Sequence, residues 1–211
     1  MKLFLFDCDG TVLDTFLLIE KVVIKTFEKL YPDYPMTIEE AHTFFGPYIV
    51  DTLKKYTKTE EELNICLAEY QKNYDELSST YTVVYDGIIE LLKYLQQNNH
   101  KIAIVSNKKT SVVLQGLKDC QIDQYFDIIV GADLMTKAKP DPNGIFLAMK
   151  KYNTKDAYMI GDTTTDIQTG LNAHIPTIGV TWCVTTKEEL LKANATYVVD
   201  HPTEIIKILE A

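Results

Sequence analysis

No arginine occurs in the 211 residues; all 21 basic side chains are lysines. Any anion held by this chain must be met by ammonium groups, backbone N–H groups and hydroxyls, never by the two-pronged fork of a guanidinium. Cysteine is scarce as well. Cys8, Cys66, Cys120 and Cys183 are scattered, and none forms a Cys-x-x-Cys pair. This favours four reduced thiols in a cytoplasmic protein over a disulfide frame or a zinc site. No apolar run approaches the roughly 20 residues of a membrane span, so no membrane association is expected. The opening Met1-Lys2-Leu3-Phe4-Leu5-Phe6 reaches Asp7 too soon for the apolar core of a signal peptide. Positive charge is also in deficit. Twenty-one basic against 30 acidic residues leave a net charge of −9, which argues against a general nucleic-acid binder, since that needs a basic face. A small anionic substrate held by a few local donors is compatible with that balance.

The composition is that of a globular protein, 46% hydrophobic and 24% charged. A chain of this length buries about 70% of its unfolded surface and needs no staple. It suits one large domain, or one domain with an insertion.

Lys2 to Phe6 is an apolar run of strand length. Beyond Thr15 the pattern becomes helical, with Phe16, Ile19, Val23 and Phe27 at three- and four-residue steps. Tyr31-Pro32-Asp33-Tyr34-Pro35 breaks that helix, and Thr37 with Glu40 has capping-box spacing. Gly46-Pro47 breaks the pattern again before helices at 51–56 and 59–77. After Asp86 strands and helices alternate. Strands are expected at 101–105, 127–130, 157–160, 177–180 and 197–199, with helices between them. Strands separated by helices in this way imply α/β architecture, a doubly wound, Rossmann-like parallel sheet. Residues 1–14 and 81–211 would form the core, and 15–80 an inserted α-helical cap. Residues 14–80 carry 7 Lys against 13 Asp and Glu, which reads as a solvated helical face.

In such a sheet ligands bind at the carboxyl ends of the strands. Asp7-Cys8-Asp9-Gly10-Thr11 follows the first strand, Ser106-Asn107-Lys108 the strand 101–105, and Lys137-Ala138-Lys139-Pro140 the loop after 127–130. Gly161-Asp162-Thr163-Thr164-Thr165-Asp166 follows the strand 157–160. Asp7 and Asp9 project to one side of an extended segment, with Cys8 turned the other way. Carboxylates with hydroxyls and lysines suit a hard cation such as Mg²⁺. Several of these residues also have a purely structural reading. Asn107 could cap the next helix, Asp166 could answer a helix dipole, and Lys137 competes with Lys139.

Taken in order, Asp7-Cys8-Asp9-Gly10-Thr11-Val12-Leu13-Asp14, Ser106, Lys139-Pro140 and Gly161-Asp162-Thr163-Thr164-Thr165-Asp166 resemble the haloacid dehalogenase-like hydrolases over essentially the whole chain. Cys8 departs from the larger apolar residue usual there. The resemblance implies a phosphatase with Asp7 as nucleophile, forming an aspartyl-phosphate, and Asp9 as general acid and then base. It implies phosphate-binding roles for Thr11, Ser106 and Lys139, and Asn107, by its place at a strand end, is a phosphate-binding candidate as much as a helix cap. Mg²⁺ would lie on Asp7, Asp9 (through its carbonyl), Asp162 and Asp166. A phosphomutase or dehalogenase on the same fold is the alternative, as is a phospho-acceptor receiver of another class. Asp9 and the helical insertion weigh against the receiver, which has no use for a built-in water activator. In the segment from Phe44-Phe45-Gly46-Pro47-Tyr48 to Asp51-Thr52, the Gly-Pro followed by Asp-Thr resembles the pyrophosphatase and phosphoglycolate phosphatase branches, and Lys139-Pro140-Asp141-Pro142 is similar to both. Phe44, Gly46, Pro47 and Tyr48 are therefore candidates for facing the substrate, while Gly46-Pro47 could equally be a helix break and Phe44-Phe45 cap core. A small phosphorylated metabolite is the expected partner.

Overall fold

The computed structural model describes residues 1–210 and divides the chain into two compact units, residues 1–14 with the chain from Val84 onward, and Thr15–Val83. The larger unit is built on six parallel strands, β1 (Leu3–Phe6), β4 (Lys101–Val105), β5 (Ile128–Val130), β6 (Ala157–Gly161), β7 (Thr177–Val180) and β8 (Tyr197–Val199). A pair of two-residue strands, β2 (Leu13–Asp14) and β3 (Val83–Val84), marks where the chain leaves this unit and rejoins it.

The sheet order is β5-β4-β1-β6-β7-β8. β1 is central, pairing Leu3 with Lys101 on one side and with Ala157 on the other. Its four side chains are all fully buried, as expected for a strand covered on both faces. The two-residue alternation sends Phe4 and Phe6 to one face and Leu3 and Leu5 to the other. On the first face, Ile102 and Ile104 join Leu91, Leu92 and Leu95 of α5 (Ile88–Gln97) and Leu117 of α6 (Thr110–Asp119). On the second, Ala103 and Val105 meet Ile145 and Ala148 of α7 (Asn143–Tyr152). From β1 the chain winds outward through β4 to β5, then returns to the other side of β1 at β6. The winding therefore reverses beside β1, the position at which such sheets open a crevice.

The remaining helices of this unit, α8 (Thr164–Asn172), α9 (Lys187–Lys192) and α10 (Thr203–Glu210), follow the expected alternation. Pro142 is the N-cap of α7, where its missing N–H costs nothing.

The smaller unit holds α1 (Phe16–Leu30), α2 (Ile38–His42), α3 (Ile49–Leu53) and α4 (Glu60–Tyr81). α1 buries Leu18, Ile19, Val22, Val23 and Phe27 and packs on α4. Between these helices a buried Asn73 Nδ2 donates to Thr26 Oγ1 at 3.0 Å. The Thr37–Glu40 capping box forms as its spacing predicts. Two boundaries differ from the sequence pattern. α3 begins at Ile49, because the extended Tyr48 after Gly46-Pro47 already serves as its N-cap. α4 continues four residues beyond Leu77, where buried Ser78 keeps the helix face inside. Among the described residues no helix is long and apolar enough to cross a membrane.

Candidate active site

Three adjacent strands, β4, β1 and β6, end in Ser106, Asp7 and Asp162. Asp7 extends β1 by one more ladder bond, its N–H donating to the Ile160 carbonyl at 2.8 Å. Cys8 then turns into the apolar layer beneath. The chain reverses at Gly10, whose φ is +77° and where a Cβ would stand 2.3 Å from Asp162 Oδ2. No other residue fits both that backbone and that gap. The reversal is closed by Val12 N–H to the Cys8 carbonyl and Gly10 N–H to the Leu13 carbonyl. Trp182 braces it, donating from Nε1 to the Thr11 carbonyl at 3.1 Å.

Lys139 lies at the centre of the cluster. Its Nζ is 2.8 Å from Asp7 Oδ1 and 2.6 Å from Asp166 Oδ1, with the side chain 2% exposed. Lys137 is exposed, so the competition between the two lysines resolves to Lys139. Burial would lower the Lys139 pKa, but the charges of Asp166 and Asp7 outweigh it and hold the ammonium above its ordinary value. The N-cap of α6 is Lys109, not Asn107. Its Oδ1 accepts the Lys139 N–H at 2.8 Å and its Nδ2 donates to the Lys139 carbonyl at 3.4 Å, clasping that peptide. Asp166 closes a capping box with Thr163 at the start of α8, as a first-turn acid can, and offers its other oxygen to Lys139.

Asp162 completes the group. Thr11 Oγ1 donates to Asp162 Oδ1 at 2.8 Å, so the threonine hydroxyl is engaged by a carboxylate. Asp162 Oδ2 is buried and has no hydrogen-bond partner among the described residues. Oxygens of Asp7, Asp162 and Asp166 lie within 4.8 Å of one another, all three residues buried. Burial pushes the Asp7 carboxyl up to about 7, outweighing the attraction of Lys139, with Asp166 and Asp9 adding to the rise. Burial, then the Asp166 and Asp7 charges, push Asp162 well above the ordinary carboxylate range. The cluster is short of positive charge.

Lys108 has no role in the sequence reading, although it follows Ser106-Asn107 at a strand end. Its Nζ lies 2.6 Å from Asp9 Oδ1, with the two side chains 19% and 10% exposed. Its backbone N–H donates to Ser106 Oγ at 3.2 Å. The signal available was the third polar residue of that turn; the missing information was which way a long flexible side chain turns.

The four cap candidates lie in the smaller unit. Phe44 is buried there against Phe27 and Tyr56, so its ring fills that unit's own interior. Gly46 turns the chain with φ +98°, Pro47 is exposed, and Tyr48 is the N-cap of α3.

A parallel sheet that gathers these acids and lysines at its central strand ends makes an α/β protein with a candidate active site there. The chain belongs to the haloacid dehalogenase-like hydrolase family, whose model matches residues 4–180. It is 33% identical over 209 residues to the pyrophosphatase PpaX of Listeria innocua, covering 97% of this chain and 94% of that protein. It is 32% identical over 209 residues to the pyrophosphatase PpaX of Bacillus mycoides, covering 97% and 95%. A crystal structure described as a predicted phosphatase from Clostridium acetobutylicum superposes with a TM-score of 0.87 at 31% identity, covering 100% of this chain and 99% of that one. One described as a predicted phosphoglycolate phosphatase from Haemophilus somnus shares the fold, with a TM-score of 0.88 at 22% identity and 99% and 98% coverage. The relatives above 30% identity place the chain in the phosphatase branch of its family.

Proposed function

We propose that this phosphatase hydrolyses a small phosphorylated metabolite with an anionic leaving group, pyrophosphate or phosphoglycolate foremost, through an aspartyl-phosphate on Asp7. The observation that carries the reading is the pairing of one strand-end carboxylate with a buried lysine, 2.8 Å away, beside a second acid two residues on. The named pyrophosphatases at 32–33% identity favour pyrophosphate.

Asp7 attacks phosphorus as the bond to the leaving oxygen breaks. Asp9 gives that oxygen its proton, then withdraws one from the water that attacks the acyl phosphate and frees Asp7. Lys139 fixes the nucleophilic carboxylate and offsets its charge as the anionic phosphoryl group approaches. Asn107 keeps Lys139 in place by holding its peptide. Ser106 stands at the end of β4, where its hydroxyl can meet a phosphoryl oxygen.

The donor set fits Mg²⁺. It offers only oxygens, its three carboxylates face one ammonium, and Asp162 Oδ2 is buried without a partner among the described residues. Asp7, Asp162 and Asp166, with the Asp9 carbonyl, would hold the ion. The bound ion supplies neutralisation between an anionic nucleophile and an anionic phosphate.

The test is steady-state turnover of pyrophosphate, phosphoglycolate, hexose phosphates, nucleotides and a phosphopeptide, with Mg²⁺ and with excess chelator. Pyrophosphate or phosphoglycolate is expected to give the highest kcat/KM, and chelator to abolish it. Full turnover in chelator would refute the metal assignment, and a preference for the phosphopeptide would refute the substrate class. A wild-type phospho-aspartate stable for many minutes would favour a receiver.

A further inference from the structure

We propose that Lys108 receives the charge of the leaving group and thereby sets the preference for substrates whose leaving group is an anion. The inference rests on the phosphatase reading above and adds to it the residue that selects the substrate.

Asp9 hands its proton to the leaving oxygen, so that oxygen must come within about 3 Å of the Asp9 carboxyl. Lys108 Nζ is 2.6 Å from Asp9 Oδ1. The leaving oxygen and the Lys108 ammonium are thus neighbours of the same carboxyl group. Any negative charge one or two bonds beyond that oxygen, on a second phosphoryl group or on a carboxylate, falls within Coulomb reach of Lys108.

The two lysines of the site divide the work by position and by access. Lys139 is enclosed at 2% exposure between Asp7 and Asp166, on the nucleophile's side. The Lys108 side chain is 19% exposed. Its charge acts on any anion that comes near, whatever its donors already hold. Its backbone is pinned by the hydrogen bond to Ser106 Oγ, which fixes the root of a side chain that is itself flexible. With no arginine in the chain, no guanidinium can take this part.

The experiment compares kcat/KM for pyrophosphate, phosphoglycolate and the neutral amide of phosphoglycolate, in the full chain with Mg²⁺. Wild type, Lys108→Met and Lys108→Arg are measured, with circular dichroism confirming the fold. The wild type is expected to prefer both charged substrates to the amide. Lys108→Met slows all three, because Asp9 loses its partner. It also lowers the charged-to-neutral ratio by about tenfold or more, chiefly through KM, the size expected when an anion loses its cation. Lys108→Arg keeps the charge and restores the ratio. A wild type that does not prefer the charged substrates overturns the proposal without any variant. So does a ratio that Lys108→Met leaves unchanged, which would confine Lys108 to holding Asp9. A wild type that hydrolyses none of the three refutes the substrate reading above, a result separate from either.

Discussion

At the scale of single residues, the site is a contest between burial and charge. Asp7 is buried, and its carboxyl rises to about 7 although a lysine sits 2.8 Å away. Under the proposed mechanism, Asp7→Asn removes the nucleophile and a metal ligand together. Turnover is expected to fall below detection, while the fold persists because Lys139 keeps Asp166. Activity assays alongside thermal melting check this, and wild-type rates would end the nucleophile assignment. Much of this cluster was legible from strand ends alone, because a parallel sheet brings those ends together whatever the chain between them does. What was hidden is direction. Thr11 turns to Asp162 and Asn107 to the Lys139 peptide, and the sequence pattern places both without saying which neighbour each bonds. Lys108 was missed for the same reason.

At the scale of elements, α8 does two jobs with one turn. Thr163 Oγ1 accepts the Asp166 N–H at 3.3 Å and donates to Asp166 Oδ2 at 2.6 Å. The box that starts the helix therefore also aims the Asp166 oxygen that holds Lys139. Thr163→Ala is expected to cost about 1 kcal/mol of stability and to lower kcat, because Asp166 loses its anchor. Denaturant midpoints and kcat measured on one preparation check both parts. A stability loss with unchanged kcat would show that the box serves only the helix. Element positions were well read where hydrophobic period and caps agree, as at β4, β7 and β8. They slipped at α3, where an extended tyrosine cap replaces the usual small polar residue.

At the scale of the molecule, pH acts on the fold at a point away from the site. His100 Nδ1 accepts the Lys2 backbone N–H at 3.1 Å, at the amino-terminal edge of the sheet. Burial first, then the positive charges at Met1 and Lys2, hold its pKa below the ordinary 6.5. Below about pH 6.5 the unfolded chain takes up a proton that the native ring refuses, so this contribution to stability falls as pH falls. Unfolding free energies at pH 7.5 and 5.5 should differ more in the wild type than in His100→Gln. Equal differences would remove His100 from the account.

The central position of β1 also has a consequence during synthesis. Its Leu-Phe-Leu-Phe run must wait for a partner 98 residues further along, since Leu3 pairs with Lys101. At about 5–20 residues per second, that is about 5–20 s on the ribosome with a fully apolar strand unpaired. The wait for Ala157, its partner on the other side, is longer still. Four adjacent apolar side chains with no charge among them are the kind of segment that joins strand edges of other chains. Asp7 and Asp9, next in the chain, carry the charge that discourages such contacts. By that principle, the charges that end β1 also guard it while it waits for its partners.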